Sequence, residues 1–340
     1  MNEDDGSGAA GASGESEIIQ RYFAPLTEDD PGAIALLDDA ALLAAGGVED
    51  LVLTIDTIVA GVHYREADGP GNAAHKALGV NVSDLVAKGA EPLVYLLSLA
   101  LPEAADDRWL CGFSEGLHAA QTSFGCRLLG GDTVKTPGPA TITITAIGRI
   151  EPGRMVHRSG AATGDAVFAS GRIGDAALGL KLLQGELDAN ALELGSEDMS
   201  HLRDRFLRPE PRIGLLAALR AHASAAMDVS DGLAGDFRKL CAASGVGGLI
   251  RLADLPLSDA ARRALDADPS LIETVATGGD DYEVLATVKA DRAAAFEADA
   301  RKAGVAVARI GEILPAGRPV SFLDGDGNEV TFARESFDHF

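Results

Sequence analysis

Between Ala140 and Ile150 the chain reads ATITITAIGRI, and Thr and Ile alternate over residues 141–147. Successive side chains of a strand point to opposite faces, so a period of two marks a strand with one face in a core. The run carries no charge before Arg149. An uncharged strand at an open sheet edge invites another chain to pair with it, so this one has to be covered. The stretch EPLVYLLSLALP (91–102) is apolar on both faces and needs cover as well. Burial under helices of the same chain and pairing with a second copy both meet that need, and periodicity does not choose between them.

Two more strands are expected nearby, DLVLTID (50–56) and CRLLGGD (126–132). Helices fall between them. NAAHKALGVNVSDLVAKGAEP meets Gly89 and then Pro92, a stop signal in the usual order. ADDRWLCGFSEGLHAAQTSFG opens on Asp106 and Asp107, which suit a helix N-terminus. A first helix is expected at SEIIQRYF (16–23), after a Gly-, Ala- and Ser-rich acidic tail, residues 1–14, expected to be disordered. That tail contains GSGAAG, which fits a dinucleotide-binding pattern but lacks the preceding strand, and it is read as chance. Near residue 150 the pattern resets in the turn-rich EPGRMVHRSGAATGD. The expected division is an N-terminal domain over 15–150 and a C-terminal α+β domain over 151–340. The latter carries AVFAS, AAMDVSDGLAGDFRKLCAASG, TGGDDYEVLATV and VAVARIGEI. Strands and helices mix in both halves, so the fold class is α+β, with α/β mixing, in two domains.

Acidic residues number 52 against 29 Lys and Arg, a formal charge of −23. Such a surface repels a polyphosphate backbone, so no nucleic-acid partner is expected. An anionic ligand would need metal ions or a local basic pocket. Cys111, Cys126 and Cys241 have no CxxC spacing, which suits a reducing compartment. No basic segment precedes an apolar stretch and no long apolar run occurs, so a cytoplasmic protein without membrane contact is expected.

The acids themselves are placed suggestively. Asp38 and Asp39, Asp56, Asp84, Asp132, and Asp228 with Asp231 each sit at the end of an apolar strand or on a helix face. Any one of them is adequately explained as a cap or turn former. Asp84 is harder to explain that way, because it lies inside an apolar helix with Asn81 and Lys88 on its face. An unpaired carboxylate near a core costs several kcal/mol, so a cation is its natural partner. Oxygen ligands favour magnesium or calcium over zinc. Neither a Walker A sequence nor the protein-kinase signatures are present, so any phosphate handling would fall to Gly turns, metals and a few cations. GGD at 130–132 and SDG at 230–232 are the candidate turns.

In order along the chain, DDAALL, TIDTIVAGVHY, HKALGVNVSDLVAKGAEPL, LLGGDTVKTPG, GRMVHRSGAATGD, AMDVSDGL, GGDDYEV and the terminal FDHF resemble the thiamine-monophosphate kinases. These belong to the wider aminoimidazole-ribonucleotide-synthetase-like superfamily. The resemblance runs from about residue 15 onward. It implies ATP-dependent phosphorylation of thiamine monophosphate, several magnesium ions, and a homodimer whose N-terminal sheets close into a barrel. It assigns Asp39, Asp56, Asp84, Asp132, Asp228 and Asp231 to metals, with Thr54 and Ile55 contributing oxygens. Gly131, Asp132, Arg158 and Ser230 fall at ATP contacts, and His63, Asp280 and Phe337 at substrate contacts. Departures are Leu37 for a Gly before the paired acids, Ile55 without a hydroxyl, and Asp280 for a Glu.

The acceptor in such a reaction is itself a phosphate with a second pKa near ~6, so no general base is expected. Positioning and charge neutralisation carry the chemistry. Two other readings stay open: a superfamily relative that activates an amide or similar group with ATP, and a non-catalytic acidic metal-binding protein. Arg149, Arg154 and Lys135 are either phosphate contacts or solvated surface charges.

Overall fold

The computed structural model describes residues 19–20, 24–27, 30–103 and 105–334. The tail 1–14, most of the expected first helix, and Phe337 lie outside the described residues.

The first sheet contains β1 (Ala41–Leu43), β2 (Asp50–Val59), β3 (Glu91–Leu101), β4 (Arg127–Lys135) and β5 (Thr141–Ile150), in the order β1-β2-β5-β3-β4. The alternating run is therefore the central strand, antiparallel to β2 and β3. Ile142, Ile144 and Ala146 are fully buried on its inner face, and the Thr residues between them are half-buried on the other. Helix α1 (Pro70–Ala87) packs on β2, β3 and β5, with α2 (Asp107–Phe124) behind it. Cover within the chain thus serves one face. On the other face Ile55, Thr145 and Leu96 stand in one cross-strand row, and Ile55 and Leu96 are exposed. β2 runs three residues past Asp56, because its pairing with β5 continues to Val59 and Thr141. Asp56 is a mid-strand residue and does not end the strand as the sequence pattern implied.

α1 begins with Pro70 directly after Gly69, and the chain leaves it through Gly89 at φ +73. A side chain would strain that left-handed position, which is why the helix stops there. Pro92 already lies in β3. The helix is buried on nearly every side because a second sheet packs on its far face through β7 and β9. This sheet comprises β6 (Ala166–Ser170), β7 (Ala223–Val229), β8 (Gly247–Arg251), β9 (Glu283–Val288), β10 (Val307–Leu314), β11 (Val320–Leu323) and β12 (Glu329–Val330). Its order is β12-β11-β8-β10-β6-β9-β7.

Among the described residues seven α-helices accompany it: α3 (Asp175–Gln184), α4 (Ser196–Leu207), α5 (Leu216–His222), α6 (Leu233–Ser244), α7 (Asp259–Ala267), α8 (Ile272–Thr277) and α9 (Ala293–Lys302). A second core forms around Phe237, Leu240, Ile250, Ile310 and Phe322. The arrangement leaves α1, a helix rich in polar side chains, between two sheets. Each of those side chains needs a partner.

Candidate active site

Asp84 points from α1 toward β2, where Thr54 Oγ1 donates to its Oδ2 at 2.5 Å. One turn earlier, Asn81 accepts from the Asp56 amide at 3.1 Å and donates to the Ala77 carbonyl at 2.9 Å, fixing helix to strand. The second sheet brings Asp228 near the end of β7, and the segment before β1 brings Asp38 and Asp39. One carboxylate oxygen from each of Asp39, Asp84 and Asp228 lies within 4.8 Å of the others. A hard cation with oxygen ligands at about 2.1–2.5 Å holds opposite ligands some 4–5 Å apart, so this spacing fits one.

The charges in the cluster are unevenly balanced. Lys88 is completely buried, with Nζ 2.6 Å from Asp38 Oδ1, 2.5 Å from Asp39 Oδ2 and 2.8 Å from the Ala226 carbonyl it donates to. The Arg158 guanidinium bonds Asp39, and the Arg158 amide donates to Asp38 Oδ2 at 2.9 Å. Burial disfavours ionisation of Asp38 and Asp39, but Lys88 and its neighbours together outweigh it, with His157 and the Arg158 amide at Asp38 and the Arg158 guanidinium at Asp39. Both carboxyls are held below their usual range. Lys88 therefore serves the paired acids and not Asp84, although it lies on the same helix face. Burial, and then the neighbouring Asp228, Asp56 and Asp39, push Asp84 well above the carboxylate range. Burial and Asp39 do the same to Asp228. Two buried carboxylates lacking a cation among the described residues make this a candidate cation site.

The SDG turn forms the next wall. Gly232 has φ +111, and a Cβ there would meet the Thr277 carbonyl oxygen at 2.4 Å, so only glycine fits. Asp236, in the first turn of α6, accepts from the amides of Ser230 at 3.1 Å and Asp231 at 3.0 Å. Lys239 Nζ bridges Asp236 Oδ1 at 3.1 Å and Asp231 Oδ2 at 2.5 Å. Burial, opposed by Lys239, pushes the Asp236 carboxyl up to about 6. Sequence reasoning missed both Asp236 and Lys239. The available signal was an acid four residues after SDG, where a first-turn side chain can reach back to the turn.

His63 follows a turn in which Gly61 has φ +81, and its Nδ1 accepts from the Val59 amide at 3.1 Å. Opposite lies the GGDDY loop. Asp280 and Tyr282 both adopt left-handed backbone, φ +71 and +49. Such strain persists only where the surroundings enforce it. Here the Asp280 amide donates to the Ser230 carbonyl and the Tyr282 amide to that of Val229, each at 2.8 Å. Asp281, fully buried, accepts from the Gly174 amide at 2.8 Å and ties the loop to the start of α3.

Two cavities result. One, about 710 Å³, is lined by Asp39, Asp56, Asp84, Asp228, Arg158 and Lys239 among others. The other, about 490 Å³, is lined by Phe206, Thr277, Asp280 and Arg334 among others. His63, Ser230, Asp231 and Tyr282 line both, so the two are neighbouring chambers.

Most of the residues singled out in the sequence meet at these chambers. Ile55 turns an exposed side chain to the outer face of the sheet, although it also borders the larger cavity. Gly131 and Asp132 do not join the cluster. Asp56 pairs with Ile144, Ile144 with Leu97, and Leu97 with Gly131. Three strand spacings of about 4.8 Å put Gly131 roughly 14 Å from Asp56. Asp132, exposed on the edge strand, falls in the row of Ser98, Thr143 and Thr57, on the opposite face. Arg149 pairs with Glu91 and Lys135 with Glu103 at the surface, and neither lines a chamber.

Comparison with known proteins gives this constellation a family. The model for the AIR synthase related protein N-terminal domain matches residues 37–150, and that for the C-terminal domain matches residues 162–324. A thiamine-monophosphate kinase of Caulobacter vibrioides is 42% identical over 330 residues, covering 96% of this chain and 89% of the relative. The structure of AaThiL complexed with AMPPCP and TMP superposes with a TM-score of 0.82 at 31% identity, covering 96% of this chain and 97% of the other. A thiamine-monophosphate kinase structure from Stenotrophomonas maltophilia K279a has a TM-score of 0.75 at 37% identity, covering 93% and 98%. The chain belongs to the AIR synthase related proteins and, within them, to the thiamine-monophosphate kinase family.

Proposed function

We propose that the protein transfers the terminal phosphoryl group of ATP to thiamine monophosphate, forming thiamine diphosphate. The observation that carries this reading is the buried cluster of Asp39, Asp84 and Asp228 in a chamber that shares a wall with a second one. A nucleotide phosphate chain placed in the first chamber meets an acceptor phosphate entering from the second, near His63 and Ser230. The acceptor oxygen is largely deprotonated at neutral pH, so the chain needs no general base. It must instead hold two anions in line. Asp39, Asp84 and Asp228, with Asp56 and Asp231 beside them, would hold magnesium ions, whose chemistry here is to neutralise phosphate charge. Arg158 reaches the same chamber and is assigned to the ATP side, with the Ser230 region. His63, Asp280 and the C-terminal Phe337 are assigned to the acceptor.

The finer assignments belong to this reading too. Gly131 and Asp132 can join the chambers only if another copy of the chain supplies them, which agrees with a homodimer. The outward row of Ile55 and Leu96 gives such a copy an apolar surface. The domain division is placed near residue 150, supported by sheets that draw on separate stretches, 41–150 and 166–330. A cytoplasmic site agrees with three cysteines that form no disulfide. No helix among the described residues is long and apolar enough to cross a membrane.

The test is turnover with purified protein, ATP, magnesium and thiamine monophosphate, following thiamine diphosphate by chromatography. Product formation abolished by a chelator and restored by magnesium is expected. ATP consumption with an amide or aminoimidazole acceptor, and none with thiamine monophosphate, would overturn the assignment.

A further inference from the structure

α1 carries another buried cation, Lys76, which the reading above does not use. Lys76 is only 1% exposed, and its Nζ lies 2.9 Å from Asp280 Oδ1 and 3.7 Å from the centroid of the Phe206 ring. A buried ammonium is costly unless a counter-charge meets it, so this placement depends on Asp280. The same Oδ1 also accepts from Tyr282 Oη at 3.2 Å. Oδ2 has no hydrogen-bond or ion-pair partner among the described residues, and Asp280 lines the smaller chamber. One oxygen of the carboxylate is anchored and the other is available. The backbone under it is strained and pinned to the SDG turn, so the side chain has few alternative directions.

We propose that Lys76 is the positioning residue of the acceptor chamber. It holds Asp280 Oδ1 so that Oδ2 accepts a hydrogen bond from an amino or ring N–H of an amino-substituted heteroaromatic ring. This deepens the acceptor assignment and rests on it, since thiamine monophosphate carries an aminopyrimidine. Phe206 and Tyr282, both at the chamber wall, supply the apolar faces such a ring needs. The competing role is structural, with Lys76 merely filling the space over Phe206.

The experiment combines calorimetric binding of thiamine monophosphate with steady-state kinetics for the wild type, Lys76→Met, Lys76→Arg, Asp280→Asn and the Lys76→Met/Asp280→Asn double variant. Met matches the Lys stem in length and packs well on an aromatic ring, so the fold is expected to survive. Lys76→Met should raise the acceptor KM and weaken acceptor binding about tenfold, the equivalent of about 1.4 kcal/mol. The KM for ATP should stay within about twofold. Lys76→Arg, which keeps the charge but moves it, should raise the acceptor KM by less. In the Asp280→Asn background Lys76→Met should add little, because its effect passes through that carboxylate. Additive effects, or an acceptor KM unchanged in Lys76→Met, would overturn the inference. If Lys76→Met does not fold, an unchanged acceptor KM in Lys76→Arg overturns it instead. A wild type that binds no thiamine monophosphate overturns the acceptor assignment itself and this inference with it.

Discussion

Replacing Asp84 with Asn separates what the central carboxylates cost the fold from what they give the reaction. Asp84 and Asp228 are buried, and their oxygens lie within 4.8 Å of each other and of Asp39. Lys88 and Arg158 compensate Asp38 and Asp39, which leaves the Asp84–Asp228 pair as the uncompensated repulsion. Two unit charges at about that separation, in an effective dielectric of about 20, repel by about 3 kcal/mol. The upward push on both carboxyls relieves part of this through proton uptake, leaving about 1–2 kcal/mol for Asn to recover. Asn has the size of Asp and an oxygen that can keep the bond from Thr54. In chelator, Asp84→Asn should therefore be more stable than the wild type by about 1–2 kcal/mol, read by denaturant unfolding. With magnesium at about a hundred times its dissociation constant the wild type should gain about 2.7 kcal/mol and the variant much less, reversing the order. Thiamine diphosphate formation should be lost. An Asp84→Asn protein equal to or weaker than the wild type in chelator would show that the cluster holds no unbalanced charge, and the argument for a resident cation would fail.

Leu96→Asp tests assembly, because Leu96 is 41% exposed in the outward row whereas Ile144, in the alternating run itself, is fully buried under α1. Light scattering should find a dimer in the wild type and monomers in Leu96→Asp with the fold retained; a wild type that is monomeric at micromolar concentration and fully active would refute the homodimer. His201 gives a pH signature away from the chambers. Its Nε2 lies 2.7 Å from Asp175 Oδ2, and that hydrogen bond, against some burial, raises its pKa above 6.5. A raised folded pKa contributes stability that is fully present below the unfolded value and is lost as pH rises through the folded one. The stability gap between wild type and His201→Gln should shrink from about pH 6 to about pH 8.5, and an equal gap at both would refute the pairing.

The sequence made some of this plain and hid the rest for identifiable reasons. The alternation of 141–147 marked the central strand, and Gly89 marked the end of α1, because both are local signals carried by side-chain period and backbone sterics. The acids were legible as a set, since each sits beside an apolar run. Their partners were not. Lys88 pairs with Asp38 and Asp39 about fifty residues earlier, and Lys76 pairs with Asp280 about two hundred residues later. Such pairs exist only after two sheets close on one helix, and no period in the chain encodes them. β8, β11 and β12 escaped notice because they are short, and β8 opens with two glycines. Asp132 shows the converse difficulty: its motif matches those of the other acids, yet the pairing register places it on another face of the sheet and strand order puts it at the far edge.

α1 explains why so many assignments converge. Lys76, Val80, Asp84 and Lys88 follow at steps of four along it and just past its end, so they form one slowly turning stripe. At 1.5 Å per residue, Lys76 stands about 12 Å along the axis from Asp84, and Lys88 about 6 Å beyond. The first reaches Asp280 at the wall of the smaller chamber, the second the carboxylate cluster, and the third the paired acids. Transfer in line needs acceptor and donor at a fixed separation, and a misplacement of about 1 Å can cost a hundredfold in rate. Loops would set that distance poorly. On the proposed assignment a helix clamped between two sheets sets it rigidly, which gives a reason for the charged residues buried along a segment that hydrophobic packing alone would have filled with Leu and Ala.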